Sequence, residues 1–314
     1  MKYIKDLRES DRMADVYMCK HKQSATTKNG KAYDNLILQD KTGTIDAKVW
    51  DPNSAGIDEY DAMDYIDVMG EVTVFNGALQ VNVKRIRKCR EGEYDPAEYL
   101  PVSPFPIEDM WRELNKYIDS IEEVHLRSLL EHFFKEDEAF IKAFKASSAA
   151  KTVHHSFVGG LLHHTLSVTK LCDFYCTRYY RLNRDLLLTA AICHDMGKIR
   201  ELSLYPQNDY TDDGQFLGHI VMGVEMVGEA IRGIDGFPKV LEQELKHCIL
   251  AHHGEYEFGS PKKPAIIEAV ALNFADNTDA KMETFTELLE NSNEPGWMGF
   301  NKFFDSNLHA TNME

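Results

Sequence analysis

The sequence predicts two domains of different class, an N-terminal all-β barrel followed by an all-α domain. Three observations carry this. Short runs in the first 90 residues alternate apolar and polar positions between turn residues, the pattern of half-buried strands. A proline-rich stretch follows. Beyond it apolar residues recur every three or four positions, as on helices that bury one face. A chain of 314 residues is long enough for two such domains, each with its own core. The expected boundaries are 1–90 for the barrel, 91–106 for the linker and 107–314 for the helical domain.

In order along the chain, Val16–Cys19, Asn35–Gln39, Thr44–Trp50, Ile66–Phe75 and Leu79–Val83 read as five strands. The last two are joined by Asn76-Gly77, a preferred two-residue hairpin turn. The turn Asp40 to Gly43 links the second and third. Asp51 to Asp64 leaves room for a loop or one short helix. Five short strands with that interruption suit a small barrel of the OB type. Such barrels hold single nucleic-acid strands by stacking bases on aromatic rings beside cations. Candidates are Tyr17, Tyr33, Trp50 and Phe75, with Lys20, Lys22, Lys28, Lys31 and Lys48. The alternative for Trp50 and Phe75 is burial in the core. An OB barrel also binds protein or oligosaccharide, so this half alone decides little.

The net charge of −16 is unevenly placed. Residues 1–90 carry 15 Lys/Arg and 14 Asp/Glu, a balance of +1, against 20 and 37, a balance of −17, in the remainder. The barrel is thus where a phosphate backbone is electrostatically welcome. An acidic domain can still accept phosphate if metal ions supply positive charge. No apolar run is long enough to span a membrane, and the N-terminus lacks the apolar core of a signal peptide. Six scattered cysteines without a Cys-x-x-Cys pair read as reduced thiols of a cytoplasmic protein.

Glu91 to Pro106 holds four prolines and reads as an ordered or semi-rigid linker. Ile107–Ile121, Glu123–Phe134 and Asp137–Ala146 then read as amphipathic helices, with almost no strand signal after them. Leu186–Cys193 is a small and aliphatic run, the pattern of a fully buried helix, yet it runs into His194, Asp195, Gly197 and Lys198. Burying adjacent ionisable groups is costly without compensation. A divalent metal is the natural partner; the alternative is a hydrogen-bonded core histidine beside a capping Asp.

Four more polar islands interrupt the helical half. They are His154-His155 with His163-His164, then His219, then His252-His253, and finally Asp276-Asn277 with Asp279. Imidazole and carboxylate suit Mn²⁺, Fe²⁺, Zn²⁺ or Mg²⁺, and no cysteine joins the set. His164, His194, Asp195, His219, one of His252 and His253, and Asp276 make six ligands. That is more than one metal needs, and it suits two metals sharing a carboxylate, an arrangement able to activate water and stabilise a leaving oxygen.

The order His164…His194-Asp195…Asp276 resembles the signature of the HD phosphohydrolase superfamily, whose fold is an all-helical metal-binding domain. His219 and His252-His253 resemble its binuclear members. More narrowly, GGLLHHTLSV at 159–168, HDMGK at 194–198 and HHGEYEFGSPKKPAIIEAVALNFADNTDAK at 252–281 resemble the YhaM-type 3′→5′ exoribonucleases, which join an OB barrel to an HD domain. The resemblance spans nearly the whole chain. It implies one metal at His164, His194, Asp195 and Asp276. Asp195 then bridges to a second metal held by His219 and one or both of His252 and His253. Mn²⁺ is favoured, with Fe²⁺, Mg²⁺, Co²⁺ and Zn²⁺ as alternatives.

Asp195 is the expected centre of catalysis. Lys198 and His155 lie near the motifs and are candidates for the scissile phosphate; a surface lysine and a core histidine are the alternatives. Asn277 and Asp279 are candidates to orient ligands, and Cys193 reads as packing. The implied activity removes nucleoside 5′-monophosphates from the 3′ end of single-stranded RNA, with single-stranded DNA as a further candidate. Two rivals are an HD hydrolase of free nucleotides or cyclic dinucleotides, against which the barrel argues, and a strand-binding protein with a vestigial site, against which the complete ligand set argues. The helical surface is able to support self-assembly into a homo-oligomer. Phe285 to Glu314, with Trp297, Phe300, Phe303 and Phe304 around Pro295-Gly296, either covers the helical domain or packs on the barrel. Residues from Ala310 onward read as frayed.

Overall fold

In the computed structural model the described residues are 1–27, 29–75, 77–95, 98–100, 102–151, 155–290 and 296–311. Lys28, Asn76, Pro96, Pro101, His154, Pro295 and the last three residues, all picked out above, lie outside them. The chain divides into two compact units, Met1–Val102 with Tyr205–Gln207, and Ser103–Leu204 with Asn208–Glu314.

The first unit is a closed five-stranded barrel of β1 (Arg12–Thr26), β2 (Ala32–Asp40), β3 (Gly43–Val49), β4 (Tyr65–Phe75) and β5 (Ala78–Lys88). The strand order is β1-β2-β3-β5-β4, with β4 returning to β1. All pairs are antiparallel except β3 with β5, which run parallel from Asp46↔Gln80 to Val49↔Val83. β1 closes the barrel because it is long enough to serve two neighbours. Its first half pairs with β4 from Arg12↔Glu71 to Met18↔Tyr65, and its second half pairs with β2 to Thr26↔Ala32. A bulge between Cys19 and His21 bends the strand at the changeover. Leu36, Leu38, Ile45, Val68, Val72 and Val81 fill the interior.

In the barrel one alternative is decided and one expectation is corrected. The Asp51–Asp64 segment forms no helix among the described residues. It folds Tyr60 inward, where its hydroxyl donates to Asp34 Oδ2 at 2.9 Å. Tyr17 is fully buried and its hydroxyl donates to the Lys2 carbonyl at 2.5 Å, so it offers no face for a base. Tyr94 and Tyr99 of the proline-rich stretch pack onto the barrel. Gln39 Nε2 donates to the Tyr99 carbonyl at 3.0 Å, and the Tyr94 ring stacks on Tyr65 at 3.8 Å.

The second unit comprises α1 (Ile107–Asp119), α2 (Val124–Glu131), α3 (Glu138–Ala146), α4 (Gly160–Arg178), α5 (Arg184–Cys193), α6 (Lys198–Glu201), α7 (Asp212–Ile231), α8 (Lys239–Ala251) and α9 (Ile267–Glu290). Three of the starts carry side-chain caps: Asp137 accepts from Phe140 N, Asn183 from Leu186 N, and Thr211 from Gly214 N. α5 is the centre of this unit, with every residue from Leu186 to Cys193 buried. No helix is long and apolar enough to cross a membrane among the described residues.

The helical half is not purely helical. β6 (Trp297–Asn301) and β7 (Ser306–His309) form an antiparallel hairpin, bulged between Trp297 and Gly299. Strands of five and four residues, one broken by a glycine, leave no alternation to detect. Phe304 of this hairpin packs edge-on against Phe285 of α9 at 5.3 Å, and Leu308 is buried. The tail therefore lies on the helical unit.

Since Leu188 is fully buried in α5, Leu188→Ala is expected to cost about 2–5 kcal/mol, read from chemical denaturation of the full chain.

Candidate functional site

The site forms where five helices deliver their polar interruptions to one point. His164 comes from the first turns of α4. His194 and Asp195 follow α5, His252 follows α8, His219 lies within α7, and Asp276 and Asp279 lie on α9. His164, His194 and His252 are buried, as is Asp195.

Asp195 divides the ring nitrogens into two sets. Its Oδ2 lies 3.3 Å from His164 Nε2 and 3.4 Å from His194 Nε2. Its Oδ1 lies 3.4 Å from His219 Nε2 and 3.7 Å from His252 Nε2. Asp276 Oδ1 joins the first set at 3.1 Å from His164 Nε2. Ligand atoms of His164, His194 and Asp276 lie within 4.8 Å of one another, and so do those of His219, His252 and His253.

The far side of each ring explains why the Nε2 atoms face inward. His194 Nδ1 donates to the Ala191 carbonyl and His252 Nδ1 to the Ile249 carbonyl, both at 2.7 Å. His253 Nδ1 donates to the Phe258 carbonyl at 2.9 Å. His164 Nδ1 meets Asp279 Oδ2 at 2.7 Å, and His219 Nδ1 meets Glu201 Oε1 at 3.0 Å. With a proton held at Nδ1, each ring in its neutral form presents a lone pair at Nε2. Two of these nitrogens, on His164 and His194, lie 3.2 Å apart. Asp195 Oδ1, His219 Nε2 and His252 Nε2 are buried and have no hydrogen-bond partner. Acceptors that converge without a donor fit a divalent cation, and the mixed imidazole and carboxylate set suits one of intermediate hardness.

Opposite charges hold one another ionised within this cluster. Burial opposes ionisation of Asp195, but Lys198 and His194 outweigh it and hold the carboxyl well below its usual range. Lys198 Nζ is 2.7 Å from Asp195 Oδ2. Burial likewise opposes a charge on His164, yet Asp195, Asp276 and Asp279 together raise its pKa well above normal. Burial pushes the Cys193 thiol up to about 12, consistent with packing and not chemistry.

Sequence reasoning missed Glu201. This buried carboxylate ends α6 and accepts from both the backbone N and the Nδ1 of His219, each at 3.0 Å. Two glycines permit that approach. Gly218 takes φ +74° and breaks the helical path just before His219. A Cβ on Gly197 would fall 2.0 Å from the His219 carbonyl oxygen. A glycine before a histidine in an apolar helix was the available signal; the Glu itself gave none.

Of the two phosphate candidates, the structure sets His155 apart from Lys198. His155 is fully buried with Nε2 2.9 Å from Asp279 Oδ2, so it braces that carboxylate and does not face a substrate. Lys198 is at the site, paired to Asp195. Asn277 is exposed, whereas Asp279 holds His164 as expected of an orienting group.

On the barrel, Tyr33 and Trp50 lie 5.6 Å apart, and Lys48 Nζ sits 4.9 and 5.2 Å from their centroids. Trp50 Nε1 donates to Asn82 Oδ1 at 3.1 Å, leaving the ring 51% exposed. Phe75 is 58% exposed at the end of β4, so neither aromatic is core. Lys20 and Lys31 are exposed. Lys22 is committed internally, donating to the Tyr60 carbonyl at 2.6 Å.

Glu201→Ala is expected to weaken metal binding about 10–100-fold, with Glu201→Gln retaining more because its amide oxygen still accepts from His219. Calorimetric titration of metal-free protein with Mn²⁺ reads this directly.

The HD domain family model matches residues 161–281. The 3′-5′ exoribonuclease YhaM of Geobacillus sp. (strain WCH70) is 36% identical over 286 residues, covering 90% of this chain and 86% of that protein. The 3′-5′ exoribonuclease YhaM of Bacillus subtilis (strain 168) is 34% identical over 288 residues, covering 90% of each. Among solved structures, the second OB-fold domain of replication protein A from Methanococcus maripaludis aligns with a TM-score of 0.23 and 23% identity, over 30% of this chain and 98% of that one. The HD domain and these relatives imply dependence on a divalent metal, in keeping with the histidine and aspartate clusters. By its identity with these relatives along most of its length, the chain belongs to the YhaM family of 3′-5′ exoribonucleases.

Proposed function

We propose that the chain is a metal-dependent 3′-5′ exoribonuclease of single-stranded RNA, able also to take single-stranded DNA, that releases nucleoside 5′-monophosphates. One observation carries this reading: two sets of inward-facing imidazole nitrogens meet the two oxygens of one buried carboxylate, Asp195. The arrangement suits two divalent ions, Mn²⁺ first among them. His164, His194, Asp195 and Asp276 would hold one; His219, His252, His253 and Asp195 would hold the other. Bound there, divalent cations supply Lewis acidity, acidifying water and offsetting charge on the phosphodiester.

The chain's own residues do the rest. Asp195 sets the spacing of the two sites. Asp279, Glu201 and the carbonyls of Ala191 and Ile249 fix the ring tautomers before any ligand arrives. Lys198 keeps a positive charge beside Asp195, where it can also meet a phosphate oxygen. Tyr33, Lys48 and Trp50 offer stacking faces and a cation for a single strand. The six free thiols fit a reducing compartment, the cytoplasm.

With 5′-labelled single-stranded RNA and Mn²⁺, a ladder that shortens from the 3′ end and is abolished by chelator is expected. An intact strand in the presence of metal contradicts the reading and favours a small-nucleotide hydrolase. Asp195→Ala is expected to abolish cleavage while leaving strand binding nearly unchanged. Trp50→Ala should have the opposite profile, losing about 1–3 kcal/mol of RNA binding with metal content intact, as read by fluorescence anisotropy and elemental analysis.

A further inference from the structure

Next to the Asp195 centre stands a second group of ligand-type side chains, outside the two ligand sets of the proposed reaction. It consists of His155, His163 and Glu283. One ligand atom from each lies within 4.8 Å of those of the other two. The rings of His155 and His163 meet edge to face, with centroids 4.6 Å apart. We propose that these three residues form a third divalent-cation site, of the class that takes Zn²⁺.

Three features support the assignment. His163 Nδ1 is buried and has no hydrogen-bond partner. Buried imidazole nitrogens are nearly always satisfied, so an orphan beside another imidazole and a carboxylate has the signature of a ligand. The rings of Phe105 and Phe157 flank His163 at 5.0 and 6.0 Å, an apolar wall that strengthens any charge interaction inside it. Glu283 follows Asp279 by one helical turn on α9 and precedes Glu287 by another, so three carboxylates follow one face. A cation relieves that crowding of negative charge.

The third site is joined to the main centre through one atom. Asp279 Oδ2 lies 2.9 Å from His155 Nε2 and 2.7 Å from His164 Nδ1. A cation drawn to His155 therefore acts on the carboxylate that orients a ligand of the main site. The inference does not depend on the exonuclease reading, because it rests on a separate ligand cluster and is read from metal content, not cleavage.

The test is metal stoichiometry of the full chain. Metal-free protein is equilibrated with excess Zn²⁺, freed of unbound ion and assayed for zinc per chain, with thermal melting as a control for folding. His163→Gln and Glu283→Gln are each expected to bind one equivalent fewer than the unmutated chain, whereas Asp195→Ala retains the equivalent that they lose. The same zinc content in the unmutated chain and in both variants overturns the proposal. Should His163→Gln fail to fold, Glu283→Gln decides, since its side chain is only partly buried. The comparison reads a difference, so it holds whatever number of ions the Asp195 centre binds. RNA cleavage, measured separately, distinguishes failure of this site from failure of the exonuclease reading.

Discussion

A carboxylate buried at the end of an aliphatic helix needs compensation for the water it has lost, and the surroundings of Asp195 are built to provide it. In a low-dielectric interior an unpaired charge is expensive. Lys198 answers one oxygen directly, and imidazoles from α4, α5, α7 and α8 approach both. Packing of these helices and assembly of the site are therefore one event. α5 cannot bury its leucines without carrying Asp195 inward, and Asp195 is tolerated there only because the neighbouring helices bring their polar groups to it.

Helix ends supply much of the precision. The last carbonyls of a helix have no intrahelical donor. Histidines placed immediately after α5 and α8 satisfy carbonyls three residues back with their own Nδ1 protons. The same bond fixes the tautomer and aims Nε2 inward, so a feature that ends a helix also prepares a ligand. His219 sits inside a helix and has no such carbonyl. Glu201 takes that part, and it reaches the ring only because Gly218 departs from helical geometry and Gly197 has no side chain in the way.

This division explains what could be read in advance. His164, His194, Asp195, His219, His252 and Asp276 were legible because each is a polar group in an apolar helical segment, a local anomaly visible in one dimension. Glu201 was not, since a glutamate in a short polar helix is unremarkable until its contact with His219 is seen. His155 misled for a related reason: proximity to a motif along the chain says nothing about access to solvent. In the barrel, strand existence followed from alternation and turn residues. The face assigned to Tyr17 did not, because Tyr17, Met18 and Cys19 are all buried where β1 passes from one neighbour to the other. The β6–β7 hairpin was invisible because its strands are too short for a period to register.

The account rests on Asp195 joining two cation sites with its two oxygens. Crystals of the full chain soaked in Mn²⁺ and measured for anomalous scattering test this most directly. Two peaks are predicted, one beside Oδ2 with His164, His194 and Asp276, the other beside Oδ1 with His219, His252 and His253. A single peak on the Oδ2 side, with His219 and His252 left without an ion, would contradict it.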